Sequence, residues 1–197
     1  MNFLDGFLKI EQNGQFVYKN WVEWDHALIP NEPEWIRMLI RGVMLMLGHC
    51  LECTVLDGCY FTLDNMPELP KHVRCHCNQI KIPYNQVMIK AKAKCNIKKF
   101  TEYVFKDGKA SKGKKQIFQN LGYGIKDSEW LQSEFCAQAL KNYLNGNYIL
   151  RNLDMYGQRL AIIINLKNVT FYSGWMLKPN GLIENTTPFG GWSYEKV

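Results

Sequence analysis

Apolar and polar residues alternate along residues 7–21 (FLKIEQNGQFVYKNW) in two arms around Asn13-Gly14. That dipeptide suits a tight type I′ turn, so the stretch predicts a β-hairpin. The period then changes. Asn31-Glu32-Pro33 offers an N-cap and a first-turn proline. Trp35, Ile36, Leu39, Ile40, Val43 and Leu47 recur at helical spacing, which predicts a buried amphipathic helix ending near Gly48. Residues 49–78 show little periodicity. Short strands are expected at 79–82 and 87–91. A shift in composition over 90–96 marks a boundary between a first domain, residues 1–90, and a second, residues 96–197.

Past that boundary, 97–105 and 114–121 predict short helices, the latter stopped by Gly122. Asp127 or Ser128 starts a longer helix to Tyr143. It carries Trp130, Leu131, Phe135, Ala139, Leu140 and Tyr143 on one side and closes at Asn145-Gly146. Strands follow at 148–153, 158–166, 169–177 and 182–187, with Asn180-Gly181 as a second hairpin turn. The expected fold class is α+β: hairpin, helix and cysteine-rich loop, then a small domain of helices and an antiparallel sheet.

Composition narrows the function classes. At 197 residues and 47 % hydrophobic, the chain can bury a core. No basic segment followed by an apolar one opens it, so no signal peptide is expected. The most apolar stretch, 36–48, is interrupted by Arg37 and Arg41 and falls short of the roughly 18 residues that span a bilayer, so no membrane partner is expected. Charge is uneven. Between residues 80 and 126, twelve lysines stand against Glu102 and Asp107 alone, an excess of ten where the whole chain carries +6. Such asymmetry fits a polyanion such as nucleic acid, or else a solvated lysine-rich surface.

The candidate chemistry begins with cysteine. Of seven, Cys50, Cys53, Cys59, Cys75 and Cys77 crowd into 28 residues. Cys50-x-x-Cys53 brings two thiolates to one ion from a single turn, and His72, Cys75 and Cys77 supply further ligands after a spacer. Zinc takes four in a tetrahedron. Cys50, Cys53 and Cys75 fit best, and either His72 or Cys77 completes the set. Four protein ligands leave no place for water, so the zinc would be structural. The alternatives are thiols without metal, or disulfides. Cys59 lies outside the pattern and reads as a small buried residue.

The segments CLECTVLDG and LPKHVRCHC together resemble the C-terminal motif of phage head morphogenesis (minor head, Mu F-like) proteins. The likeness covers about thirty residues. It departs from the family at Val73-Arg74, where Pro-Asn is usual, and the long helical portion that precedes the motif is missing. The resemblance implies a detached or shortened relative in a tailed phage or prophage. Its location would be the virion or the host cytoplasm, and its partners capsid or portal proteins.

A second resemblance spans residues 98–190. KKFTEYVF, KGKKQIFQNLGY, a helix, MYGQRLAIIINL and FYSGWML are similar to small phage and polymorphic-toxin domains grouped with barnase, EndoU, colicin and RelE-like ribonucleases. That grouping implies helices followed by an antiparallel sheet, and metal-independent RNA cleavage. Such cleavage needs a base, an acid and cations. All four histidines (26, 49, 72 and 76) precede residue 77, so a site in the second half would draw on Lys112, Lys114, Lys115, Tyr156 and Arg159. Lys112–Lys115 also reads as a solvated helix start, and Tyr156-Gly157 as a turn before a strand. The lack of histidine favours a non-enzymatic structural or accessory role, with an RNase-like toxin or nucleic-acid-binding effector as the alternative.

Overall fold

A computed structural model of the chain describes residues 3–4, 7–12, 15–20, 33–40, 51–68, 77–106, 113–167 and 169–192. The fold is α+β, as the pattern predicts. Strands β1 (Phe3–Leu4), β2 (Phe7–Gln12) and β3 (Gln15–Asn20) form one antiparallel sheet. Gln12 pairs with Gln15, which leaves a two-residue connection where Asn13-Gly14 lies outside the described residues.

The expected helix from Pro33 to Gly48 is not what forms at its start. Trp35–Ile40 is a strand, β4, and 41–48 lies outside the described residues. It is the middle strand of a second sheet, between β5 (Tyr60–Thr62) and β6 (Cys77–Ile82). A strand covered on both edges and packed into a core reads as a near-continuous apolar run, which periodicity confuses with a helix. Here Trp35, Ile36 and Met38 are all buried. Helix α1 (Leu51–Leu56) precedes β5. The strand expected at 87–91 is instead helix α2 (Tyr84–Lys90), entered from Pro83 and burying Val87, and the true strand, β7, is Lys92–Lys94.

The rest follows the sequence closely. A π-helical segment covers Lys99–Val104, then come α3 (Lys114–Asn120) and α4 (Ser128–Leu144). Strands β8 (Tyr148–Asp154), β9 (Gly157–Leu166), β10 (Val169–Leu177) and β11 (Leu182–Trp192) form an antiparallel meander. β7 adds to β11 in parallel, giving the order β7-β11-β10-β9-β8. The Asn180-Gly181 turn has both residues left-handed, at φ 59° and 71°, as its sequence predicts. Helix α4 lays Leu131, Phe135, Ala139 and Tyr143 on the sheet, where Leu160, Ile162 and Ile164 of β9 face inward. β8 runs out at Ile162, and α4 satisfies the β9 edge beyond it. Gln138 exchanges two 2.8 Å hydrogen bonds with the Asn165 backbone, and Asn142 donates to the Ile163 carbonyl at 2.8 Å. Among the described residues, no helix is long and apolar enough to cross a membrane.

Side chains on both sides of the 90–96 boundary share one apolar cluster, from Trp35, Leu56 and Tyr60 through to Trp175 and Ile183. Leu56-Asp57-Gly58 is a joint in it. Gly58 is left-handed at φ 71°, donates to the Met38 carbonyl at 2.8 Å, and accepts from the Asn180 amide at 2.8 Å. A Cβ there would stand 3.3 Å from Pro179 Cβ. Gly58→Ala should therefore lose about 1–2 kcal/mol from the backbone conformation alone, read as a lower urea midpoint; unchanged stability would mean the joint carries no strain.

Candidate functional site

The π-helical segment, α3 and the far end of β11 bring basic and hydroxyl groups together. In the π-helical segment the Phe105 amide donates to the carbonyl of Phe100, five residues back, at 2.9 Å. The wide turn buries Phe100 and Val104 and leaves Lys99 and Tyr103 only partly buried. Such turns recur at functional sites. Lys114, the first residue of α3, donates to the Tyr103 phenol at 2.5 Å and to Thr187 Oγ1 at 3.0 Å. Its Nζ is 4.6 Å from the Tyr103 ring centroid. Lys99 donates to the Thr186 carbonyl at 2.8 Å.

Strand β11 is irregular at this point. Gly174 pairs with Thr187 but Trp175 with Asn185, so Thr186 is an extra residue, and Ser173 stands opposite residues 188–190. Pro188 has no amide proton to give a ladder, which suits a bulge. Bulges re-aim side chains and are common beside sites. Behind this one lies a buried polar set. Ser173 is wholly buried and donates to the Thr187 carbonyl at 3.0 Å. Asn185, 7 % exposed, donates to Ser173 Oγ at 2.9 Å and to the Gly174 carbonyl at 3.2 Å.

Electrostatics mark the same point. The Tyr103 phenol titrates below its usual range, chiefly through its hydrogen bond to Lys114, with the Thr187 hydroxyl and the Lys99 charge adding to the effect against partial burial. Chemically, the cluster sets two ammonium groups and the Tyr103 hydroxyl around one point, beside a Thr187 hydroxyl that donates to the Phe189 carbonyl at 3.0 Å, a grouping that suits an oxyanion.

The candidates from sequence fall into separate places. Lys114 is in the cluster, Lys115 is the next residue of α3, and Lys112 lies outside the described residues. Tyr156 and Arg159 belong elsewhere. Both are tied to Asp154 in the β8–β9 turn, the Tyr156 amide at 2.8 Å and Arg159 Nε at 2.7 Å, and Arg159 holds the Asp154 carboxyl below its ordinary range. No hydrogen bond or ion pair among the described residues joins Tyr156 or Arg159 to Lys114. Lys99, Tyr103 and Thr187 were not singled out by sequence. The four-residue spacing of Lys99 and Tyr103 on one helical face, and Thr187 before a strand-breaking proline, are the signals that bear on them.

Of the proposed zinc ligands, Cys53 is buried in α1 and Cys77 opens β6, paired with Ile40 at the end of β4. Cys50, His72 and Cys75 lie outside the described residues. Thiolates with an imidazole are a donor set that suits zinc. Cys59 is fully buried, as expected, and its thiol is pushed up to about 12 by burial and then by Asp57. Burial likewise takes Cys95 to about 12, with Cys136 adding to it. Both thiols should resist alkylation in the native protein at about pH 8; modification there faster than global unfolding, followed by mass spectrometry, would contradict their burial.

In comparisons with family models, curated proteins and solved structures, none matches this chain.

Proposed function

We propose that this chain is a structural or accessory protein of a tailed-phage or prophage particle, stapled by one zinc ion and packing on capsid or portal components. The Cys/His motif carries the reading, because Cys50-x-x-Cys53, Leu56-Asp57-Gly58, His72 and Cys75-x-Cys77 occur together in the spacing described. The burial of Cys53 and Leu56 and the joint at Gly58 support a scaffolding role for the part of the motif within the described residues. Cys50, Cys53 and Cys75, with His72 or Cys77, would hold the ion, whose contribution there is to staple the fold. Elemental analysis should give about one zinc per chain, and the protein should sediment with particles in fixed copy number. A folded protein free of metal, absent from particles, refutes the reading.

A second reading is a nucleic-acid-directed effector, RNase-like in its fullest form. It is favoured by the Lys114–Tyr103–Thr187 cluster, which among the described residues has no carboxylate paired to Lys114. Incubation with total tRNA, beside a Lys114→Ala/Lys115→Ala variant, tests it. Cleavage by the native protein alone supports an effector, and intact tRNA with both proteins counts against cleavage.

A further inference from the structure

We propose that Lys114, Tyr103 and Thr187, with Lys99 beside them, bind a single phosphate group carried by a nucleic-acid strand. The choice of strand rests on the nucleic-acid reading above; the choice of phosphate rests on the geometry. Lys114 is a cation held by two neutral oxygens, at 2.5 and 3.0 Å. An ammonium is best matched by an anionic acceptor, and charge-assisted bonds are about twice as strong as neutral ones. Swinging from the two hydroxyls onto an incoming oxyanion therefore improves its own pairing. Tyr103, which only accepts from Lys114, keeps its own proton to donate to the same group, and Thr187, whose Oγ1 donates to the Phe189 carbonyl at 3.0 Å, would turn that proton from the carbonyl to the oxyanion. Lys99, 2.8 Å from the carbonyl of the neighbouring Thr186, adds a second positive charge. Ammonium groups and hydroxyls arriving from three segments suit a tetrahedral oxyanion better than a planar carboxylate.

The support behind Thr187 argues that the arrangement is built rather than incidental. Burying polar side chains in an apolar sheet face is unfavourable unless they are hydrogen-bonded. Here Ser173 and Asn185 are buried, and their bonds converge on Thr187, whose carbonyl receives Ser173 Oγ at 3.0 Å and Asn185 Nδ2 at 3.4 Å. Asn185 Oδ1 is left without a partner among the described residues. An orphaned buried acceptor reduces stability, so the network is better explained by what it positions than by what it stabilises. Gly174 completes the fit, since a Cβ there would come within 2.8 Å of Thr187 Cγ2.

Occupancy has a spectroscopic signature. Phosphate draws Lys114 from the phenol and places negative charge beside it, so Tyr103 should titrate closer to the ordinary tyrosine range when the site is filled. Two probes test this on the full chain: inorganic phosphate, and a short fluorescein-labelled single-stranded RNA. Phosphate should move the low-pH component of the phenolate absorbance titration upward, a component that Tyr103→Phe removes. Lys114→Gln should abolish the movement and weaken RNA binding roughly 10- to 100-fold, as loss of one charge-assisted contact implies. Thr187→Val should weaken binding without changing its salt slope, whereas Lys114→Gln should reduce the slope by about one. Circular dichroism checks that each variant folds. RNA bound equally by native protein and both variants overturns the site while leaving the nucleic-acid reading intact. A phosphate-dependent shift without RNA binding keeps the site and overturns the strand as its carrier. Neither shift nor binding overturns both.

Discussion

Phe135→Ala will lower the unfolding free energy by about 3–5 kcal/mol, the usual loss for a buried phenylalanine. Phe135 is fully buried on α4, and its ring lies 5.2 Å from that of Phe100, 6.2 Å from Phe118 and 6.1 Å from Phe171. Those neighbours come from the π-helical segment, α3 and β10. The substitution therefore opens a cavity where three elements meet, and the surrounding rings cannot close it without leaving one another. Against a total of about 5–15 kcal/mol for a native domain, that is a large share. Phe135→Leu keeps most of the volume and should lose under about 1.5 kcal/mol. Urea unfolding followed by circular dichroism separates the two, and near-equal midpoints would mean this ring cluster is not the core of the second half.

That core was legible in the sequence because α4 and the meander are locally consistent. Leu131, Phe135, Ala139 and Tyr143 repeat every four residues, and Gly146, ahead of β8, and Asn180-Gly181, ahead of β11, take the left-handed conformations that suit their residue types. Trp35–Ile40 was not legible for the opposite reason. Its register as a central strand depends on partners at 60–62 and 77–82, and a short apolar run carries no local mark of them. The cluster was legible by half. Lysine excess pointed to Lys114, but its partners Tyr103 and Thr187 sit eleven residues before and 73 after it. Only the bulge and the π-helical turn bring them together, and neither leaves a reliable pattern in the chain. Tyr156 and Arg159 meet at the β8–β9 turn, where Asp154 accepts from the Tyr156 backbone amide and from Arg159 Nε while the Tyr156 side chain stays exposed.

The same dependence on distant partners decides how the two halves of the chain hold together. Tyr143 is fully buried near the end of α4; its ring meets Trp35 of β4 edge-on at 5.1 Å, and its hydroxyl donates to the Tyr60 carbonyl at 2.7 Å. Tyr148 extends the contact, receiving the Thr62 amide at 2.9 Å and donating to the Asn65 carbonyl at 3.0 Å. Tyr143→Ala removes a buried aromatic, at about 3–5 kcal/mol. It also leaves a buried carbonyl unpaired, which adds about 1–3 kcal/mol. Tyr143→Phe isolates the second term and should lose only that smaller amount. Because the tyrosine bridges elements on both sides of residues 90–96, the loss in Tyr143→Ala should lower the unfolding midpoint of both halves together. Amide hydrogen exchange can read them separately, through β4–β6 and through β9–β11. Faster exchange confined to β9–β11 would show that the halves are energetically independent despite their shared core. Faster exchange in both would make the first half, with its cysteine motif, a structural part of the unit that carries the Lys114 cluster.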